Sequence, residues 1–255
     1  MKYIRKETFC LLTIAGLGIC IGMSNSESPI SERKQPVIMQ EVQQKLEVIE
    51  KENISIEKEI IKPLDVPLIL QKPELMRGCE VTSLAMVLQF SGVQVDKMEL
   101  ASKIKYVPFQ TNDLKGNMHK GFIGDMSTFD KPGLGVYVEP ILELAKLYVS
   151  DEKVLDLSHK EPENIYNMID QGQPVWVITN ALFKHLPDNQ FYTWKTDVGE
   201  MKVTYQQHSV VVTDYDEQYV YINDPLKKDK HRAINRNDFE QSWIQMGRQA
   251  MTISI

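Results

Sequence analysis

The sequence predicts an α+β protein, because helical apolar spacing gathers in its first half and strand-like runs in its second, with no alternating βαβ pattern. The clearest helical signal is Glu80–Phe90, where Val81, Leu84, Ala85 and Leu88 fall on one face and Met86 and Val87 widen it. The clearest strand signals are "PVWVIT" at 174–179 and "HSVVVTDY" at 208–215. At 255 residues, 42% hydrophobic and 25% charged, the chain suffices for one sizeable domain with extensions. A net charge of −6 leaves no basic surplus to neutralise phosphates, so nucleic acid is not expected as a partner.

In chain order, Lys2, Arg5 and Lys6 precede an uncharged apolar run, Phe9–Met23. A spanning helix needs about 20 residues, so this run fits the core of a signal peptide better. Residues 1–24 are read as a signal peptide or an N-terminal membrane anchor. Lipidation of Cys20 is disfavoured because Ile19 stands where a small residue is required. The expected location is secreted, or at the extracellular face of the bacterial membrane. Residues 25–62 are polar and charge-dense and read as a linker, with Val42, Leu46 and Ile49 able to form one face of a short helix. The main domain is expected over 63–255, opening with "LDVPLIL" as a strand.

Gly92 is placed to stop the first helix. Asp96, with Glu99 three positions on, opens a second in the manner of a capping box. "PILELAKLY" at 140–148 and Pro162–Ile169 follow as helices with proline in the opening turn. "YVYIND" at 219–224 pairs with 208–215 as a hairpin, "NDFEQSWIQM" reads as a helix and "AMTISI" as a closing strand.

Cysteines occur at 10, 20 and 79, so outside the leader Cys79 stands alone; an intradomain disulfide and a cysteine-pair zinc site are both excluded. Core packing is the bland reading of this thiol. The sharper one is a nucleophile, since the unpaired N–H groups and positive dipole of a helix N-terminus favour a thiolate. Gly78 beside it leaves room for a second backbone to approach. His208 opens the strand at 208–215 and Asp224 ends its hairpin partner. They are an even number of positions apart, so an odd-numbered loop would set them facing each other on one side of the ladder. A carboxylate there would fix the imidazole tautomer. A solvated strand end is the competing reading.

The segments "VPLILQKPELMRGCEVTSLAMVLQFSGVQVD", "QHSVVVTDYDEQYVYINDPL" and "DFEQSWIQMGRQA" resemble the bacterial C39-like cysteine peptidases, family thirty-nine of that class, related to bacteriocin-processing domains. The resemblance covers about residues 64–254. It implies a papain-like fold, with the nucleophile on a helical part packed on an antiparallel sheet that carries His and Asp. It further implies Cys79 as nucleophile, His208 as general base and acid, and Asp224 as orienting residue. Gln71 matches the glutamine that holds an oxyanion together with the cysteine N–H, a solvated loop glutamine being the alternative. The implied activity is peptide-bond hydrolysis through a thioester, with no metal or organic cofactor. A monomer acting on a peptide or protein substrate, cell-wall peptide included, is expected. Gly78 and Glu80 depart from the exporter-linked enzymes, which commonly carry an acidic residue before the cysteine and a small one after it. Their double-glycine leader specificity is therefore not carried over. A peptidoglycan amidase or transferase with the same triad, and a non-catalytic peptide or cell-wall binding module, are the alternatives.

The remaining features read as structural. His119, His159, His185 and His231 lack metal-ligand spacing and are assigned to loops or the surface. "GFIGDM" and "KPGLGVY" are turns near the nucleophile, Trp176, Trp194 and Trp243 are core or cleft wall, and "KKDKHR" at 227–232 is a solvated basic loop.

Overall fold

The computed structural model describes residues 42–46 and 63–255. The chain divides into two compact units, Met1–Lys58 and Glu59–Ile255. Of the first, a helical segment at 42–46 is described, with Val42 and Leu46 half-exposed. The leader, Ile49 and the rest of the linker lie outside the described residues. Among the described residues, no helix is long and apolar enough to cross a membrane.

Among the described residues, the second unit contains five α-helices: α1 (Cys79–Phe90), α2 (Lys97–Lys103), α3 (Val138–Ala145), α4 (Pro162–Asp170) and α5 (Arg236–Gln245). Short pairs come first among its strands: β1 (Tyr106–Val107) with β4 (Phe122–Ile123), and β2 (Gln110–Thr111) with β3 (Leu114–Lys115). The main sheet contains β5 (Val154–Asp156), β6 (Val175–Asn180), β9 (Gln207–Tyr215), β10 (Tyr219–Asn223), β11 (Arg232–Asn235) and β12 (Ala250–Ile253). A separate hairpin joins β7 (Tyr192–Thr196) to β8 (Gly199–Val203). The six-stranded order is β11-β10-β9-β6-β12-β5, every neighbouring pair antiparallel.

Helices cover both faces of this sheet, which explains why its central strands read as continuous apolar runs. Alternation sends Trp176, Ile178 and Val211 into the core built on α1, α2 and α3. Val175, Val177, Val210 and Val212 enter the opposite core, with Phe239 and Trp243 of α5 and Ile165 and Ile169 of α4. Helix α1 is the central element: every residue from Cys79 to Leu88 is buried, so the single apolar face read from the sequence is too narrow a description. Its end closes as expected at Gly92, at φ +90, with Gly92 N–H on Gln89 C=O and Val93 N–H on Leu88 C=O.

The Asp96 carboxylate accepts from Glu99 N–H at 2.8 Å. The reciprocal half of the box is replaced, because Glu99 turns to Lys103 and the Tyr148 hydroxyl. Helix α3 stops at Ala145, short of 148, its last turn tightening so that Leu147 and Tyr148 donate three residues back to Leu144 and Ala145. "LDVPLIL" is not a strand. Pro67 in its middle lacks an N–H for a ladder, and the segment is held by single bonds such as Leu64 N–H to Thr213 C=O. The β7–β8 hairpin carries too many exposed polar residues to show as strands in sequence, and β5 and β11 are too short, at three and four residues.

Phe239 is fully buried in the α5 face of the core. Phe239→Ala is expected to destabilise the domain by about 3–5 kcal/mol, read as a lower urea midpoint at unchanged m-value. A loss below about 1 kcal/mol would show that this layer does not support the sheet.

Candidate active site

Two bonds fix the N-terminal turn of α1 against the sheet. Trp176 Nε1 donates to Glu80 C=O at 2.9 Å, and Ser83 Oγ to Ser209 C=O at 3.1 Å. Gly78 is required here by packing: a Cβ would lie 2.5 Å from that of Leu75, so the residue serves the fold and not the approach of another chain. Cys79 is 7% exposed.

Backbone direction in β9 then aims a donor at the sulfur. Ile178 on β6 faces Ser209, yet sends its own N–H to Gln249 of the far neighbour at 3.1 Å. The pair is therefore non-hydrogen-bonded, and Ser209 turns its N–H and C=O away from β6. The carbonyl takes the Ser83 hydroxyl, and the N–H bonds Cys79.

His208 and Asp224 meet through a β-bulge. Tyr215 pairs with Val220, leaving an even-numbered loop, 216–219, so the odd loop expected above is absent. A regular ladder from that turn would set Asp224 opposite Val211, on the α1 face, while His208 shares the face of Val210 and Val212. Between Tyr221 and Ile222 the register shifts by one, from Tyr221↔Asp214 to Ile222↔Val212, and Thr213 is the extra residue. Asp224 then follows the register to Val210 and stands diagonal to His208 on the same face. His208 Nε2 and Asp224 Oδ1 are 2.8 Å apart. Asn223 points the other way, to Val66 C=O at 2.9 Å.

The Asp224 carboxylate is also held by the Leu226 N–H at 2.9 Å and by Arg232 Nη1 on Oδ2. Burial works to raise its pKa, but the bond to His208, that N–H and the Arg232 charge together hold it below the usual carboxylate range. Arg232 also stacks over Phe183, 5.3 Å from the ring centroid, and Phe183 meets the His208 ring edge-on. His231 bonds Thr213 Oγ1 at 2.9 Å and braces the bulge. The segment "KKDKHR" is thus more than a solvated loop, since its last two residues support the site.

Cys79, His208 and Gln71 line one cleft of about 360 Å³, together with Gly133 and Leu134 from the second glycine-rich turn. His208 Nδ1 has no hydrogen-bond partner among the described residues. Gln71 is buried, with Nε2 donating to the Leu75 and Met76 carbonyls at 3.2 and 3.1 Å, and its Oε1 unpartnered. A second cavity, of about 370 Å³ and lined by Tyr137, Glu139 and Gln249 among others, contains none of the four predicted site residues.

Glu80 changes the electrostatics expected at the helix start. Its carboxylate is 1% exposed; Oε1 accepts from Val136 N–H at 3.1 Å and Gln207 Nε2 at 3.0 Å, and Oε2 takes the Cys79 thiol at 3.3 Å. Gly135 makes the room, as a Cβ there would lie 2.5 Å from Glu80 Oε1. Burial, and then the Glu80 charge, push the Cys79 thiol well above its ordinary pKa, against the pull of the Ser209 N–H. Burial and the bond to Glu80 thus favour the thiol over the thiolate expected from the helix N-terminus. Burial likewise raises Glu80 above the usual carboxylate range. Sequence reasoning passed over Arg232, Phe183 and Gln207; for Glu80 the signal was a carboxylate in the first turn of an otherwise apolar helix.

Comparison with known proteins agrees with this architecture. A solved structure from Bacillus anthracis, described as a C39-like peptidase, shares 46% identity with a TM-score of 0.74 and covers 76% of this chain and 98% of its own. An uncharacterized protein of Bacillus subtilis (strain 168), YvpB, is 49% identical over 195 residues, or 75% of this chain and 76% of that one. The Peptidase_C39 like family matches residues 63–251, and the chain belongs to that family.

Proposed function

We propose that this protein is an exported cysteine peptidase that cleaves peptide bonds through Cys79, His208 and Asp224. The observation that carries the proposal is the lining of one cleft by the thiol and the imidazole, with a carboxylate fixed on the far ring nitrogen. Export rests on the basic start and apolar run of residues 2–23, and places the activity outside the cytosol.

The resting geometry sets the order of proton transfers. Asp224 occupies Nε2, so Nδ1 is the base. As Sγ turns from Glu80 and attacks the substrate carbonyl, the thiol proton passes to Nδ1. The Cys79 N–H, in the first turn of α1, and the Gln71 amide receive the oxyanion. Gln71 does so by releasing one of its two long bonds to Leu75 or Met76. The C–N bond breaks as the imidazolium protonates the leaving amine, giving a thioester. Water, deprotonated by His208, then cleaves the thioester and restores the thiol. Asp224 stabilises the imidazolium throughout.

Cys79→Ala and His208→Ala are each expected to lower peptide hydrolysis by on the order of 10³-fold or more, and the double variant no further, because the two act as a unit. Gln71→Ala is expected to cost about 10²–10³ in kcat, as for loss of an oxyanion donor. Undiminished turnover in Cys79→Ala sinks the reading outright.

Glu80→Gln provides a pH test. Removing the carboxylate charge lowers the thiol pKa, so Cys79 alkylation at neutral pH is expected to speed up several-fold and its rising limb to move to lower pH. The difference closes as pH falls through the raised pKa of Glu80, where the wild-type carboxyl is itself neutral. Coincident alkylation profiles for the two proteins would show that Glu80 does not govern the sulfur.

A further inference from the structure

The charges that line the cleft around Cys79 differ in sign from the protein as a whole. The chain carries −6 overall, yet the cleft wall contains no Asp or Glu; its formal charges come from Lys72 and Arg77, beside the titratable His208. The carboxylates nearest the chemistry lie behind it: Glu80 and Asp224 are 1% and 2% exposed, and Asp224 is paired with Arg232. Of the carboxylates beside the rim, Glu74 is engaged with Lys97 at 2.6 Å and Asp125 Oδ1 with the Ser127 and Thr128 N–H groups, while Asp130, next to Phe129, forms no ion pair among the described residues.

Neither rim cation is neutralised. Arg77 spends Nη1 on the Asp125 and Thr128 carbonyls, which fixes its plane without cancelling its charge. Lys72 forms no ion pair among the described residues. Both cations approach the Phe129 ring, at 5.8 Å for Lys72 and 4.7 Å for Arg77, and Phe129 is 59% exposed. Tyr205 and Leu226, also largely exposed, add apolar surface to the same cleft.

Building on the peptidase reading, we infer that the cleft selects acidic peptides, those that present a carboxylate side chain beside an apolar one around the scissile bond. The carboxylate is received by Lys72 and Arg77, and the apolar side chain by Phe129, Tyr205 or Leu226. Negative charge is drawn toward a cationic cleft, and two cations on one wall favour a substrate anion there over a neutral or basic side chain.

Two measurements on the full chain test this. The first compares Cys79 alkylation by iodoacetate and by iodoacetamide, reagents alike in reaction and different in charge. The iodoacetate-to-iodoacetamide rate ratio is expected to fall about three- to tenfold in Lys72→Glu at low salt, with the gap narrowing near 1 M salt. Equal ratios in the two proteins overturn the inference. The second profiles cleavage of a proteome-derived peptide mixture by mass spectrometry. Asp or Glu is expected close to the cleaved bonds with wild type, and that enrichment is expected to be lost in Lys72→Glu. Cleavage that depends on Cys79 but shows no acidic enrichment overturns the substrate assignment and leaves the peptidase reading intact. A wild-type chain that shows the reagent ratio yet cleaves nothing removes the peptidase reading, and the substrate assignment with it.

Discussion

The buried carboxylate of Asp224 receives an imidazole, a guanidinium and a backbone N–H, from His208, Arg232 and Leu226. An anion this deep is tolerable only when such donors surround it, so its position constrains every element that supplies one. Strand β9 must carry the bulge at Thr213, β11 must begin where Arg232 can reach back, and the chain must turn sharply after Asn223. The ring nitrogen left over by this arrangement is the one available to the cleft. Orientation of the His208 ring is thus a consequence of how a charge is accommodated in the interior.

Around Cys79 the charges are layered. Negative groups, Glu80 and Asp224, lie inside, behind sulfur and imidazole, while positive groups, Lys72 and Arg77, stand on the wall of the cleft. The inner layer favours the thiol form of Cys79 over the thiolate. The outer layer acts on whatever enters. Separating the two by depth lets the proton affinity of Cys79 and the charge of the cleft wall be set by different residues. Glu80 also ties the nucleophile's helix to the 133–138 segment and to Gln207, next to His208, so the same carboxylate has a mechanical role.

Much of this was legible in the chain itself. Helix α1, its glycine stop, the proline-started α4 and the strands β6, β9, β10 and β12 follow from periodicity and end signals that packing does not override. His208 and Asp224 share a face as expected, but by a different route: a bulge corrects an even loop, and bulges leave no reliable mark in sequence. What escaped is tertiary in origin. The Arg232 bond to Asp224 and the Glu80 bond to Val136 join residues whose local context reads only as a basic loop and a helix start. "LDVPLIL" misled for the opposite reason, since its composition is strand-like while Pro67 forbids the ladder.

Strand β12 lies between β6 and β5, in the interior of the sheet, although it is formed by residues 250–253. Cys79, His208 and Asp224 are all synthesised earlier, but on a growing chain the backbone of β6 has no partner on that side until 250–253 emerge. Closure of the domain is therefore delayed to the end of translation of this region. A nascent or truncated chain can carry every reactive group in order and still lack the framework that makes them meet.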